Sequence, residues 1–227
     1  MLKFFSIKRR ASGWVRLMVT RKVFEKIKSN YGNCASWAVW AKQGEKPKSN
    51  VGDLTVLNPD SNPHLLTQLN PQIILVGLNI SRNLGIEPLA NFHDSKSKAT
   101  DYKIRFALTD TVFWGAYMTD IIKDFDEVSS GKMIKYLRAE PDLERQNVKL
   151  FREEIAILGV EKPTLIAFGA DVYSILARNF GDEFDIKKIQ HYAARTSKEI
   201  YRQLALTLQS EINGDYTGTT KAVTCIR

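Results

Sequence analysis

The chain has very little cysteine: two residues in 227, Cys34 and Cys225, with no Cys-x-x-Cys spacing. That excludes a disulfide framework, offers no zinc or iron–sulfur ligand set, and makes a reducing, cytoplasmic setting the default expectation. Histidine is nearly as scarce, with His64, His93 and His191 lacking ligand spacing, so no metal site is expected. No stretch of about 18 uncharged apolar residues occurs, which argues against a transmembrane helix and a membrane partner. Gly-x-Gly-x-x-Gly and Gly-x4-Gly-Lys-Ser/Thr are both missing, so no nucleotide cofactor is indicated. A Gly-x-Ser-x-Gly elbow is missing too, which counts against an α/β hydrolase.

Acidic residues are sparse at the amino-terminal end. Residues 1–60 hold 12 Lys and Arg against 4 Asp and Glu, whereas residues 61–227 hold 21 of each, so the first quarter carries the whole net charge of +8. A basic arm of this kind suits phosphate, because Lys and Arg displace counterions from nucleic acid and steer its approach; a solvated basic tail has the same composition. Met1–Thr20 carries Lys3, Lys8, Arg9, Arg10 and Arg16 without an acid, superficially like a transit peptide. It lacks the uninterrupted apolar segment of a secretory signal, and Met18 offers an alternative start.

With 44% hydrophobic and 26% charged residues, the chain has the composition of a globular protein able to bury one full core. Lys22–Lys28 and Cys34–Ala41 read as helical pieces, the second capped by Asn33, with Trp37 and Trp40 sharing a face at i,i+3 spacing as core residues. Lys42–Asp53 is a loop of turn-forming residues. Strands are expected at Gln72–Gly77, near Ala116–Ile122, at Pro163–Phe168 and at Ile186–His191. Helices are expected over the Glu-rich stretch opened by Pro141 and closed by Gly159, over Ala170–Arg178 and over Ser197–Ile212. Alternating strands and helices predict an α/β fold, a three-layer α/β/α sandwich on a mostly parallel sheet of about four strands. Residues 1–60 form a basic extension with helices, packed on the core in its later part, and residues 61–227 form the α/β/α domain. The connection from Asn79 to Thr109 shows little periodicity; loops of that length commonly serve function.

Three strand ends run from apolar residues into polar ones: Val76-Gly77-Leu78-Asn79-Ile80-Ser81, Tyr117-Met118-Thr119-Asp120 and His191-Tyr192-Ala193. Together with Leu165-Ile166-Ala167-Phe168-Gly169, their order resembles the uracil-DNA glycosylase superfamily. That family carries a Gly-x-Asp/Asn motif, a strand ending in Thr-Asn or Leu-Asn, an apolar strand leading into Gly, and a strand ending in His-Pro-Ser or Asn-Pro-Ser. The match spans roughly residues 70–210. It implies a DNA glycosylase acting in repair by a monofunctional route, with DNA bearing a damaged or mismatched base as partner and no cofactor or obligatory protein partner.

Such chemistry makes its own demands. Breaking a base–sugar bond builds positive charge on the sugar and negative charge on the departing base, so dipoles must face both. A base in duplex must also be flipped out and read along its hydrogen-bonding edge. On the resemblance, Asn79 orients the attacking water and His191 stabilises the leaving base, with Gly77 and Leu78 lining the base edge. Phe92 stacks the base and Asp120 reads it. Asn79 also suits a plain turn after a strand, and Asp120 can pair with Lys123. An amide cannot act as a carboxylate base, so slower chemistry than an Asp version follows. Asp120 stands where uracil readers carry Asn: an ionised carboxylate only accepts, so either it is protonated or the base is not uracil. Tyr192-Ala193 replaces Pro-Ser, leaving Ser81, Arg195, Ser197 and Lys198 as DNA contacts, although a charged helix start accounts equally for the last three. His93, Asp94, Tyr102 and Arg105 are further polar candidates, and His64 is isolated. The alternative reading is a catalytically inactive nucleic-acid-binding module with the same fold; an enzyme acting on free nucleosides is a third.

Overall fold

A computed structural model describes residues 18–80, 87–123, 125, 127 and 129–214. Thr20 opens the first helix, α1 (Arg21–Tyr31), its hydroxyl accepting from the Val23 amide at 3.3 Å, and α1 buries Phe24 and Ile27. The chain then enters a strand, β1 (Ala35–Trp37), where the spacing of Trp37 and Trp40 had predicted a helix. The strand ends at Trp37, and the chain turns at once, the Val39 amide donating to the Trp37 carbonyl at 2.7 Å. Trp37 packs edge-on against Tyr117 at 4.9 Å, while Trp40, beyond the turn, lies against Trp114 and His93 in the other core.

The remaining elements follow in order: α2 (Leu65–Gln68), β2 (Asn70–Asn79), α3 (Asp101–Leu108), β3 (Ala116–Ile122), α4 (Ser130–Ala139), α5 (Pro141–Leu158), β4 (Thr164–Phe168), α6 (Ala170–Phe180), β5 (Ile186–Ile189) and α7 (Lys198–Asn213). The sheet has five strands, one more than expected, in the order β1-β3-β2-β4-β5. Strands β2 to β5 are parallel, and β1 adds an antiparallel edge to β3 with Ala35 beside Thr119.

Helices cover both faces. One core joins Phe24 and Ile27 of α1, Met133 and Leu137 of α4, Phe151 and Ile155 of α5 and Ile175 and Leu176 of α6 to Ile74, Val76 and Leu165 of the sheet. The other joins Ile104 and Leu108 of α3 and Tyr201, Ala205 and Leu208 of α7 to Ile73, Leu75, Met118 and Ile166. Most of these helices are too short to hold in isolation; burial of each large apolar side chain, about 1.5–3 kcal/mol, holds them. Pro141 at the start of α5 and Gly159 at its end, with φ +70°, sit where the sequence places them. The sequence pattern gives no helix where α2, α3 and α4 form. No described helix is long and apolar enough to cross a membrane.

Candidate functional site at the strand ends

The central strand β2 hands the chain toward β3 on one side, while its other neighbour, β4, hands it to β5 on the opposite side. Connections diverging from adjacent parallel strands leave a crevice outside their carboxyl ends, the usual ligand position in such sheets. Gly77, Leu78 and Asn79 end β2 there, and Phe168 ends β4.

Gly77 pairs in register with Asp120 of β3. A Cβ on Gly77 would meet Asp120 Oδ1 at 2.1 Å and Phe92 Cζ at 3.4 Å, so only glycine lets the carboxyl lie across the strand. Asp120 is 3% exposed, and its Oδ2 accepts from Asn91 Nδ2 at 2.8 Å. The same amide nitrogen donates to the Cys34 carbonyl at 2.8 Å, and Asn91 Oδ1 accepts from the Phe92 amide, so Asn91 spends its whole side chain fixing Asp120 against β1. No described residue donates to Oδ1. Burial pushes the Asp120 carboxyl up to about 7, with the Asn91 hydrogen bond and the charge of Lys123 pulling the other way. Lys123 does not pair with this carboxylate. Its ammonium meets Thr119 Oγ1, the Asp120 backbone carbonyl and Glu154 Oε2 on the opposite face of the sheet.

Phe92 holds φ +66°, a conformation a bulky side chain adopts only under constraint. Its ring is 3% exposed and stands 6.2 Å from that of Phe168, so it is an apolar wall and not an open stacking platform. Phe168 connects this nook to His191, centroid to centroid 6.4 Å, and His191 stacks on Tyr192 at 4.4 Å. The Ala193 amide donates to His191 Nδ1 at 3.1 Å. That bond places the proton of the neutral ring on Nε2, leaving Nε2–H as the donor; burial lowers the ring's affinity for a second proton.

The turn after His191 is held from outside. Lys103 of α3, itself buried, donates to the Ala194 and Thr196 carbonyls at 3.0 and 2.9 Å. Gly169 opens α6 beside this turn with φ +96°, a glycine conformation.

Asn79 closes β2 opposite Ile122, so it is a strand residue and not a turn residue. Its Nδ2 faces three carbonyls, those of Ile80, Phe125 and Glu127, at 3.1, 3.0 and 2.9 Å. Its Oδ1 receives no hydrogen bond from a described residue.

The structure therefore brings Gly77, Asp120 and Phe92 into contact, connects them to His191 through Phe168, and places Asn79 two residues along β2. Leu78 points away, into the core on the opposite face with Val76. Ser81 lies outside the described residues. Ser197 caps α7 by accepting from the Ile200 amide at 3.2 Å. Lys198 pairs with Glu199 and stands 4.0 Å above the Phe106 ring, and Arg195 is exposed. His93 is an interior neutral ring, pushed down to about 4 by burial, with the Val51 and Trp37 carbonyls beside it but outside hydrogen-bonding geometry. Arg105 clamps the 42–53 loop through the Ala41, Pro47 and Ser49 carbonyls. Asp94 Oδ1 accepts from the Lys96 amide, and Lys48 lies over the Tyr102 ring at 5.5 Å. His64 is exposed. Among the described residues no group of three or more His, Cys, Asp or Glu is placed to hold a metal ion.

Sequence reasoning missed Asn91, Lys103 and the bridging role of Phe168. Only Phe168 carried a signal, as the last apolar residue before the Gly169 punctuation. Compared with protein-family models, curated proteins and solved structures, the chain matches none.

Proposed function

We propose that the chain is a DNA glycosylase-like hydrolase of the α/β/α sandwich type, reading a flipped base at the Gly77–Asp120 nook and cleaving its bond to deoxyribose. The observation that carries this reading is the lone Asp120 carboxyl laid across Gly77 at the strand-end crevice. It is a hydrogen-bonding edge with one oxygen that no described residue meets, and burial pushes its pKa up to about 7. Protonated, it donates to a carbonyl oxygen of a base such as uracil; ionised, it favours a base presenting an amino group.

In the reaction the glycosidic electron pair leaves with the base. His191 Nε2–H faces the negative oxygen that develops. Asn79 Oδ1 holds the water that attacks the anomeric carbon, and the water's proton is lost to the departing base or to solvent. Without a carboxylate at Asn79 the cationic sugar receives less stabilisation, so turnover is slow. Arg195 and Lys198 contribute phosphate contacts by position alone.

A second reading, binding without turnover, is favoured by one specific observation: the Asn79 amide is spent on three backbone carbonyls, an architectural duty. The nook is also closed, so a base reaches Asp120 only if the Asp120 or Phe92 side chain turns outward. The test is a base-release screen over oligonucleotides carrying uracil, hypoxanthine, xanthine, mismatched thymine or alkylated bases, scored by alkaline cleavage at abasic sites. Release from at least one substrate, abolished in Asn79→Ala, supports hydrolysis. Binding without release, unchanged in Asn79→Ala, supports the second reading and rejects the first.

A further inference from the structure

At the far end of the sheet, β1 runs out beside the start of β3, where the Ala38 amide bonds the Ala116 carbonyl and the Gly115 amide bonds the Ala38 carbonyl. A cavity of about 550 Å³ opens there, within the usual size range of small-ligand sites. Its walls are aromatic: Trp40 and Trp114, 5.9 Å apart and tilted by 55°, and Phe106.

The polar lining is cationic and strangely unpaired. Arg105 is 3% exposed, yet among the described residues its guanidinium bonds only the carbonyls of Ala41, Pro47 and Ser49. Burial lowers its proton affinity and no carboxylate opposes that shift. Arg202 gives one nitrogen to the Phe106 and Thr109 carbonyls, at 2.8 and 2.9 Å, its guanidinium lies 5.8 Å over the Phe106 ring, and it forms no ion pair with a described residue. Lys42 stands exposed on the rim. The one carboxylate in the lining, Asp110, pairs with none of them. Carbonyls satisfy hydrogen bonds but leave the charge uncompensated, whereas buried charges ordinarily meet an opposite charge. Aromatic faces beside an uncompensated cationic wall match an aromatic ring carrying an anion.

We propose that this cavity binds a nucleotide, its base among Trp40, Phe106 and Trp114 and its phosphate toward Lys42 and Arg202. The site is separate from the strand-end crevice and does not depend on base hydrolysis there. The same chemistry can come from a free nucleotide or from one residue of a single strand.

The experiment titrates the full chain with a nucleoside monophosphate, the matching nucleoside, inorganic phosphate and a short single-stranded oligodeoxynucleotide, following tryptophan fluorescence and heat. Saturable binding of the monophosphate, weakened about tenfold in Arg202→Met and several-fold in Lys42→Ala, is expected from the loss of charge-assisted contacts. Asn79→Ala should leave it unchanged. Lys42 is exposed, so its variant reads the site even if Arg202→Met disturbs folding. An oligonucleotide binding more than tenfold tighter than the monophosphate, with steep salt dependence, identifies a strand as the source; equal affinity identifies the free nucleotide. The proposal is overturned if the monophosphate does not bind, if inorganic phosphate binds as tightly, or if binding survives Lys42→Ala but is lost in Asn79→Ala.

Discussion

Strand β3 buries ionisable groups on both of its faces and treats them in opposite ways. On the α1/α5 side, Lys123 lies 2.6 Å from Glu154 Oε2, Tyr117 donates to Glu154 Oε1 at 2.5 Å, and the ammonium also meets Thr119. Burial is the largest single influence on Lys123 and would lower its pKa, but the Glu154 charge and hydrogen bond, with the charges of Cys34 and Asp120, together raise it, so the ammonium stays charged. On the α3/α7 side, Asp120 has one amide donor on one oxygen and nothing described on the other. One face answers burial by pairing, the other by letting the carboxyl hold a proton near neutral pH. The proposed base-reading role rests on this contrast between a buried carboxyl with no described ion pair and a closed ion pair on the other face.

The contrast can be broken at its strongest point first. Lys123→Met should destabilise the fold by about 3–5 kcal/mol, because it strands Glu154 without its partner. Urea unfolding checks this, and Lys123→Met/Glu154→Leu should recover part of the loss. A Lys123→Met variant within 1 kcal/mol of the parent, by the same reckoning, would remove the scaffold side of the comparison.

Asp120→Asn tests the other face with the opposite sign. The folded pKa is raised from the ordinary 3.8 to about 7. Its protonated form is therefore favoured by folding, and stability falls as pH rises from about 4 to about 7, then levels off. Asp120→Asn should abolish that slope and gain on the order of 1–3 kcal/mol at pH 8, read from unfolding curves across pH.

Gly77→Ala drives a methyl into Asp120 Oδ1 and should cost about 1–3 kcal/mol. Adding Asp120→Ala should restore much of it; no rescue would mean the two side chains are not in contact. Lys103→Met should have the smallest effect on stability, about 1 kcal/mol from two carbonyl bonds. It should loosen the 191–197 turn, read as faster amide exchange there with the rest of the chain unchanged.

Much of this arrangement is legible in the sequence. The apolar run before Gly77 marks β2, the residues of β3 carry its limits, and Pro141 and Gly159 bracket α5 because their backbone chemistry is local. The failures have local causes as well. Cys34–Ala41 is a short apolar run that periodicity alone cannot assign, and its strand is fixed by antiparallel pairing with β3, about 80 residues away. Helix α3 was hidden because Asp101, Lys103 and Arg105 are buried beside Ile104 and Leu108, their polar ends taken up by the 42–53 loop, the 191–197 turn and the Asp94 amide. Its polar pattern looks solvent-facing until those distant acceptors are known. Asn91 reaches Asp120 across 29 positions in the sequence, and no local pattern announces such a contact.

The most direct test of the base-reading claim is base release measured from pH 5 to 9 on oligonucleotides carrying uracil and an amino-bearing base, with the unmodified chain and Asp120→Asn. Release of uracil should fall above about pH 7 as Asp120 ionises, release of the amino-bearing base should rise, and Asp120→Asn should remove both trends. No release of either base, or profiles that Asp120→Asn leaves unchanged, would contradict it.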